Sequence, residues 1–199
     1  MMDHSLRQVK DKALTPIVQK LGGRIHPITI TLIGTVFAVV AALCAFLGLY
    51  FVGLLFLWLN RLMEGLDGTY ARTWDKKSDL GGYLDTLSDF LMYTIIPFGF
   101  VLHDPSIDAL IIVAFLFGTF YINAAAFMYL AAILERDSAN SELTSLAMPR
   151  GIIEGGEAIL FFTAFFLLPQ FTSILFLLLG ILVLATTTQH IIWSVKNMT

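Results

Sequence analysis

PITITLIGTVFAVVAALCAFLGLYFVGLLFLWLN, residues 27–60, runs for 34 positions without a charged side chain. A helix that crosses a bilayer needs about 20 apolar residues, so this run is too long for one crossing and suits two. Gly48 and Gly53 flank the interface-preferring Tyr50 near its middle, which is typical of a tight turn. We therefore predict two membrane helices, near residues 28–48 and 51–72.

Two more uncharged runs follow, over residues 109–134 and 158–195. The second is again long enough for two helices, with a turn at Pro169. Since 57% of the 199 residues are hydrophobic and 14% are charged, the composition also excludes most soluble proteins, disordered chains and nucleic-acid-binding proteins. The predicted helices after the first pair lie near residues 81–103, 107–134, 150–168 and 171–193.

The first 25 residues form a different kind of segment. Apolar side chains recur there at helical spacing among basic ones, which indicates an amphipathic helix on the membrane surface. The apolar positions are Leu6, Val9, Ala13, Ile17 and Leu21. Thr15 and Pro16 resemble a helix start, and a helix that binds a soluble partner is the alternative. We thus expect an all-α integral membrane protein with one domain, residues 1–199: a surface segment over residues 1–25, then six transmembrane helices within residues 26–199.

The basic residues indicate the orientation of the six helices. If the N-terminus is cytoplasmic, all 12 lysines and arginines fall on the cytoplasmic side. Five precede Pro27, four lie between Arg61 and Lys77, Arg136 and Arg150 follow the fourth helix, and Lys196 follows the sixth. This is the bias of the positive-inside rule. We predict a protein of the plasma (inner) membrane with both termini in the cytoplasm.

Four carboxylates stand near the cytoplasmic ends of the second and third helices. Glu64 and Asp67 are three residues apart, and Asp85 and Asp89 are four apart, so each pair shares a helix face. Converging carboxylates suit hard divalent cations such as Mg²⁺ or Mn²⁺, and two ions can share four of them. Arg72 beside such a cluster suits a phosphate group. The alternative is that Arg72 pairs with a nearby aspartate as a cytoplasmic anchor.

The stretch EGLDGTYARTWDKKSDLGGYLDTLSD, residues 64–89, closely resembles the signature of the CDP-alcohol phosphotransferase family. That signature reads D-x-x-D-G-x-x-A-R-x8-G-x3-D-x3-D, and only Glu64 departs from it. The sequence HPITITLIG, residues 26–34, also resembles the entry to the family's first span. Six spans after a surface helix fit the same family.

The resemblance implies an enzyme of phospholipid biosynthesis that transfers a substituted phosphate from a CDP-linked lipid donor, commonly CDP-diacylglycerol, to a small alcohol and releases CMP. It implies two divalent cations, Mg²⁺ or Mn²⁺, on Glu64, Asp67, Asp85 and Asp89, with Asp89 as general base. It implies a CDP site lined by Thr31, Gly68, Ala71, Arg72 and Gly81. It also implies a homodimer whose active site opens to the cytoplasmic leaflet of the lipid bilayer.

Three questions stay open at this point. Glu64 adds a methylene group, so the metal site is shifted, suited to Mn²⁺, or inactive. Glu154 and Glu157, with Arg150, favour an unphosphorylated acceptor that carries an amine or several hydroxyls, while a helical ion pair of Arg150 with Glu154 is the alternative. A non-catalytic nucleotide- or lipid-binding relative and an ion-coupled membrane transporter are the other functions.

Overall fold

The computed structural model describes the backbone of residues 2–140 and 151–198 and the side chains of residues 11–135 and 151–198. All regular elements in these residues are helices. The chain divides into two compact units, residues 1–103 and 104–199. Arg150 lies outside the described residues.

The first unit contains four α-helices, and the turn between the second and third lies near Gly48, as the sequence predicts. A 3₁₀ turn, Gly22–Arg24, follows the first helix, and the chain turns between the second and third helices at residues 47–49. The helices are α1 (Met2–Leu21), α2 (Pro27–Phe46), α3 (Tyr50–Thr73) and α4 (Asp79–His103).

Helix α1 packs against α3 through a face that the sequence analysis did not select. Leu14 and Val18 are buried in one cluster with three residues of α2 and α3, whereas Ile17 and Leu21 are exposed. The expected helix start at Thr15 is wrong, because α1 continues through Pro16 and the Thr15 hydroxyl donates to the Asp11 carbonyl at 2.6 Å. Helix α1 thus has one apolar face packed on the protein and a second apolar face that is exposed.

Tyr70 of α3 closes the turn that follows α1. The ring is fully buried, its hydroxyl donates to the Gly22 carbonyl at 2.6 Å, and it accepts from the Ile25 amide at 3.0 Å. These bonds satisfy backbone groups that a helix end leaves without partners. The end of α1 is thereby fixed to the helix that carries the signature.

Helix α2 packs against both α3 and α4, and small residues allow the close approach. A Cβ atom at Gly99 of α4 would lie 2.5 Å from the Ala42 carbonyl oxygen of α2, so only glycine fits there. Such small-residue contacts are the usual way in which membrane helices come together. This close packing of the three helices brings the carboxylates of α3 and α4 next to Thr31 of α2.

The second unit is built on aromatic and aliphatic packing. Its helices are α5 (Ile107–Asn140), α6 (Gly155–Leu167) and α7 (Thr172–Asn197), with a 3₁₀ turn, Pro169–Phe171, before α7. The Phe165 and Phe176 rings are buried and meet edge to face at 4.8 Å. Helix α5 continues past the predicted end at residue 134.

The start of α6 corrects a predicted boundary. The sequence analysis placed the start of this helix near residue 150, but the first helical residue is Gly155, because Glu154 has an extended backbone and precedes the helix as its N-cap. Glu154 therefore precedes the helix, and the alternative of a helical ion pair with Arg150 involves a residue outside the described part of the chain.

Four segments of the described chain are long and apolar enough to cross a bilayer: Pro27–Phe46, Asp79–His103, Ile107–Glu135 and Pro169–Asn197. Helix α3 has the length, with 24 residues and about 36 Å, but its second half carries Arg61, Glu64, Asp67 and Arg72. Helix α6 has 13 residues and reaches about 20 Å, less than the hydrocarbon core. Four candidate spans are found, and the count of six stays a prediction.

Candidate active site

The four predicted metal ligands line one narrow polar cleft. Glu64 and Asp67 come from α3, and Asp85 and Asp89 come from α4. The cleft is also lined by polar and small residues of the three packed helices, namely Thr31, Gly34, Asn60, Arg61 and Ser88. Because the two carboxylates of each pair share a helix face, all four reach the same cleft, as the sequence predicts.

Asp67 is the most deeply buried of the four carboxylates, and it accepts a hydrogen bond from a neutral hydroxyl group. The Thr31 hydroxyl donates to Asp67 Oδ2 at 2.6 Å, and both residues are only 6% exposed. A carboxylate is costly inside a membrane protein unless polar groups or ions compensate for its lost hydration. Thr31 therefore helps to orient the Asp67 carboxylate and to compensate for its burial.

Arg61 lies between two of the carboxylates, which the sequence analysis did not anticipate. Its Nη1 pairs with Glu64 and its Nη2 donates to Asp89 Oδ1 at 2.9 Å. Its Nε donates to Asn60 Oδ1 at 2.8 Å. The one signal in the sequence is the position of Arg61 three residues before Glu64, a spacing that places both on one helix face.

The oxygen-bearing side chains that line the cleft are of the chemical type that binds a hard divalent cation. Carboxylate and hydroxyl oxygens around a narrow cleft are the ligands that Mg²⁺ and Mn²⁺ prefer. Within the described residues, however, no three acidic, histidine or cysteine side chains are close enough to enclose an ion as they stand. Arg61 contributes to this, because its guanidinium occupies the space between Glu64 and Asp89.

A larger cavity of about 350 Å³ adjoins the cleft and shares Thr31, Asp67 and Asp85 with it. Its volume is in the range of small-molecule sites, about 300–1,000 Å³. All the residues that the resemblance assigns to CDP line it: Thr31, Gly68, Ala71, Arg72 and Gly81. The predicted nucleotide residues and two predicted metal ligands therefore meet in one cavity.

Arg72 is held in this cavity by a residue of α1. Asp11 accepts from Arg72 Nη2 at 2.5 Å and from Nε at 3.2 Å, and the Thr69 hydroxyl donates to the same carboxylate at 2.7 Å. A Cβ atom at Gly68 would lie 3.1 Å from Arg72 Nη1, so glycine leaves room for the guanidinium. Asp11 was missed because no motif connects α1 to the signature.

The spacer of the signature adds two lysines to the cavity wall. Lys76 donates to the Gly23 carbonyl at 2.6 Å and to the Ile25 carbonyl at 3.2 Å, so it anchors the turn after α1. Lys77 is exposed and lines the cavity with Arg72. Three cations beside two carboxylates form a surface suited to a diphosphate with bound metal.

The predicted acceptor residues Glu154 and Glu157 lie at the N-terminus of α6. The Glu157 carboxylate accepts from the Glu154 amide at 3.2 Å, and the Glu154 carboxylate accepts from the Gly151 amide at 3.2 Å. Acidic side chains stabilise a helix N-terminus through its free amides and its dipole. The structure thus gives both residues a capping role, and their role toward an acceptor stays a prediction.

Comparison with known proteins identifies the family of this chain. The family model for CDP-alcohol phosphatidyltransferase matches residues 24–196. Inner membrane protein YnjF of Escherichia coli (strain K12) is 36% identical over 175 residues, which cover 85% of this chain and 82% of that protein. The chain belongs to the CDP-alcohol phosphatidyltransferase family, and its long apolar helices make it an integral membrane protein.

The fold is also found in solved structures of a Mycobacterium tuberculosis protein, phosphatidylinositol phosphate synthase (PgsA1). The form with CDP-DAG bound has a TM-score of 0.72 and 23% identity, and covers 90% of this chain and 92% of that one. The complex with manganese and citrate has a TM-score of 0.70 and 22% identity, covering 89% and 87%. At this identity, the similarity establishes the shared fold.

Proposed function

We propose that this protein transfers a substituted phosphate from CDP-diacylglycerol to a small alcohol and releases CMP, as a step of phospholipid synthesis. The cavity described above carries the proposal, because it unites the signature's glycines and arginine with Asp67 and Asp85. Manganese and CDP-DAG in two PgsA1 structures support both ligands for a protein of this fold.

We assign the nucleotide to the larger cavity and the metal ligands to the adjoining cleft. Thr31, Gly68, Ala71 and Gly81 line the nucleotide side, and Arg72 contacts the diphosphate. The carboxylates of the cleft hold divalent cations, Mg²⁺ or Mn²⁺, with two ions expected from the family resemblance. A divalent cation held by these carboxylates would supply positive charge to neutralise the diphosphate and the leaving CMP.

The reaction needs a base for the acceptor hydroxyl, and we assign that role to Asp89. Arg61 donates to Asp89 Oδ1, so the proton goes to Oδ2. The deprotonated oxygen attacks the phosphorus that bears the lipid, the bond to the CMP oxygen breaks, and the proton passes from Asp89 to solvent. Arg72 and Lys77 keep the diphosphate in place as charge moves onto the leaving group.

For the acceptor, we propose an unphosphorylated alcohol that carries an amine or several hydroxyls, read by Glu154 and Glu157 with Arg150. Because both glutamates also cap α6, the test must separate binding from folding. Glu157→Gln and Glu154→Gln are expected to raise the acceptor KM with the donor KM unchanged. A lower melting temperature with an unchanged acceptor KM would leave only the capping role.

We also propose the membrane arrangement that the sequence predicts. In this arrangement α1 lies on the cytoplasmic surface of the membrane, which the exposed Ile17 and Leu21 support, and the cavity and both termini face the cytoplasm. A homodimer with six crossings per chain completes the arrangement. Cysteine labelling of single sites in intact cells tests the sidedness, and cross-linking in native membranes tests the dimer.

The deciding experiment measures CMP release by purified protein in detergent with CDP-diacylglycerol, Mg²⁺ or Mn²⁺, and a pooled panel of alcohols. Asp89→Asn is the test variant. Asp79→Asn, an exposed carboxylate at the start of the same helix, is the matched control. We expect release that needs metal and Asp89 but not Asp79.

Two other results would replace the proposal. Metal-dependent CDP binding without release from any alcohol in the panel would indicate a binding relative, and Glu64→Asp in the same assay would show whether the glutamate is the cause. Uptake of a solute into vesicles without CMP release would indicate a transporter.

A further inference from the structure

Arg61 is a buried cation held on three sides in the carboxylate cleft. Its side chain is 11% exposed, and it pairs with Glu64 through Nη1 and with Asp89 through Nη2. The third contact is the 2.8 Å bond from Nε to Asn60. An arginine keeps its charge in a protein, so this positive charge is permanent.

Asn60 fixes the guanidinium independently of the carboxylates. It is 2% exposed, and its Nδ2 donates to the Gly34 carbonyl of α2 at 2.9 Å. Its Oδ1 is thereby turned toward Arg61. Because this anchor is neutral and belongs to the α2–α3 contact, it persists whether or not a cation occupies the cleft.

The guanidinium uses the oxygens that a metal at the same place would need. Asp89 Oδ1 and the Glu64 carboxylate already accept charged hydrogen bonds, which are strong and directional. A divalent ion on the same two carboxylates would also lie beside a fixed positive charge, which repels it. Asp67 accepts a hydrogen bond from the Thr31 hydroxyl and lines the larger cavity together with Asp85, on the side of the cleft away from the Arg61 contacts with Glu64 and Asp89.

We propose that Arg61 takes the place of one of the two metal ions, so that this protein binds a single divalent cation, on the side of Asp67 and Asp85. The inference rests on the proposed function and refines its metal site. It also gives the departure at Glu64 a physical reason, since a glutamate three residues after Arg61 on the same helix can reach back to its guanidinium.

The test is a count of bound Mn²⁺ per chain by electron paramagnetic resonance titration of purified protein with CDP present. Wild type is expected to bind one ion. Arg61→Gln, which removes the charge, is expected to bind a second ion at least ten-fold more tightly than wild type does. Arg24→Gln, which removes an exposed charge before α2, is the matched control and is expected to behave as wild type.

The possible results separate this inference from the proposed function. Two ions of similar affinity in wild type overturn the role of Arg61 and leave the proposed function intact, and this count decides even if Arg61→Gln does not fold. An Arg61→Gln protein that folds and still binds one ion also overturns it. No Mn²⁺ binding in wild type overturns the proposed metal site and this inference together.

Discussion

The two units of this chain bury polar groups of different kinds. Residues 1–103 bury Asp67 among amide and hydroxyl groups and place three more carboxylates and an arginine around the same cleft. The buried polar residues described in residues 104–199 are three threonines and a histidine, set among phenylalanine and leucine side chains. A buried carboxylate needs a compensating partner or ligand, whereas a threonine hydroxyl is satisfied by its own helix. The chemistry is therefore assigned to the first unit, and the predictions below test that contrast.

The largest effect is expected for Asp67→Asn. The change keeps the shape of the side chain but removes the charge that faces both the cleft and the cavity. We expect CMP release to fall by more than about 100-fold, beyond the loss typical of residues that only support a metal ligand. Asp79→Asn serves again as the control. If Asp67→Asn retained metal-dependent CMP release, the assignment of the chemistry to the first unit would be wrong.

A smaller effect is expected for Thr31→Val, which removes the hydrogen bond to Asp67 while nearly preserving volume. Groups that orient a metal ligand contribute about 10- to 100-fold to metal affinity, so we expect a loss in that range for Mn²⁺ binding. Thr29→Val, at an exposed position of the same helix, is the control. Equal Mn²⁺ affinity in the two variants would mean that Thr31 does not position Asp67.

Asp11→Asn tests whether helix α1 contributes to the cavity. It weakens a charged contact with Arg72 that is about two-thirds buried, so we expect the donor KM to rise about five-fold, equivalent to about 1 kcal/mol. The value of kcat should change less, because Arg72 positions the donor without taking part in proton transfer. Asp11→Glu keeps the charge and should restore part of the loss. A change in kcat alone would contradict a positioning role.

The sequence predicted the site better than it predicted the interactions around it. The positions of Glu64, Asp67, Asp85 and Asp89 follow from helical spacing, which is local and readable in one dimension. The contacts of Arg61 with Asp89 and of Asp11 with Arg72 join residues 28 and 61 positions apart. Such pairs depend on how helices pack, and no local pattern encodes them.

Helix boundaries set by local sequence were predicted correctly, whereas those set by packing or capping were not. The turns before Tyr50 and at Pro169 were predicted, because glycine and proline have strong local effects on the backbone. Pro16 misled the analysis, since packing of Leu14 and Val18 on α3 keeps α1 continuous through the proline. The start of α6 was misplaced because acidic side chains act as caps there, which their spacing alone does not distinguish from a helix interior.

The smallest effect is expected in the second unit, for Thr187→Val. The Thr187 hydroxyl bonds the Val183 carbonyl at 3.0 Å and Asn123 of α5 at 3.1 Å. Thr188→Val is a close control, because the Thr188 hydroxyl is exposed and bonds the Leu184 carbonyl at 2.9 Å in the same way. The difference between the two variants isolates the bond to Asn123, which should contribute about 0.6 kcal/mol to the free energy of unfolding in mixed micelles, as interhelical bonds in membranes do. CMP release should stay within about two-fold of wild type, because Thr187 lines neither the cleft nor the cavity. A two-fold change in rate corresponds to a change of about 0.4 kcal/mol in the activation free energy. A loss of release far greater than two-fold in Thr187→Val but not in Thr188→Val would place a catalytic requirement in the second unit and remove the distinction between the units.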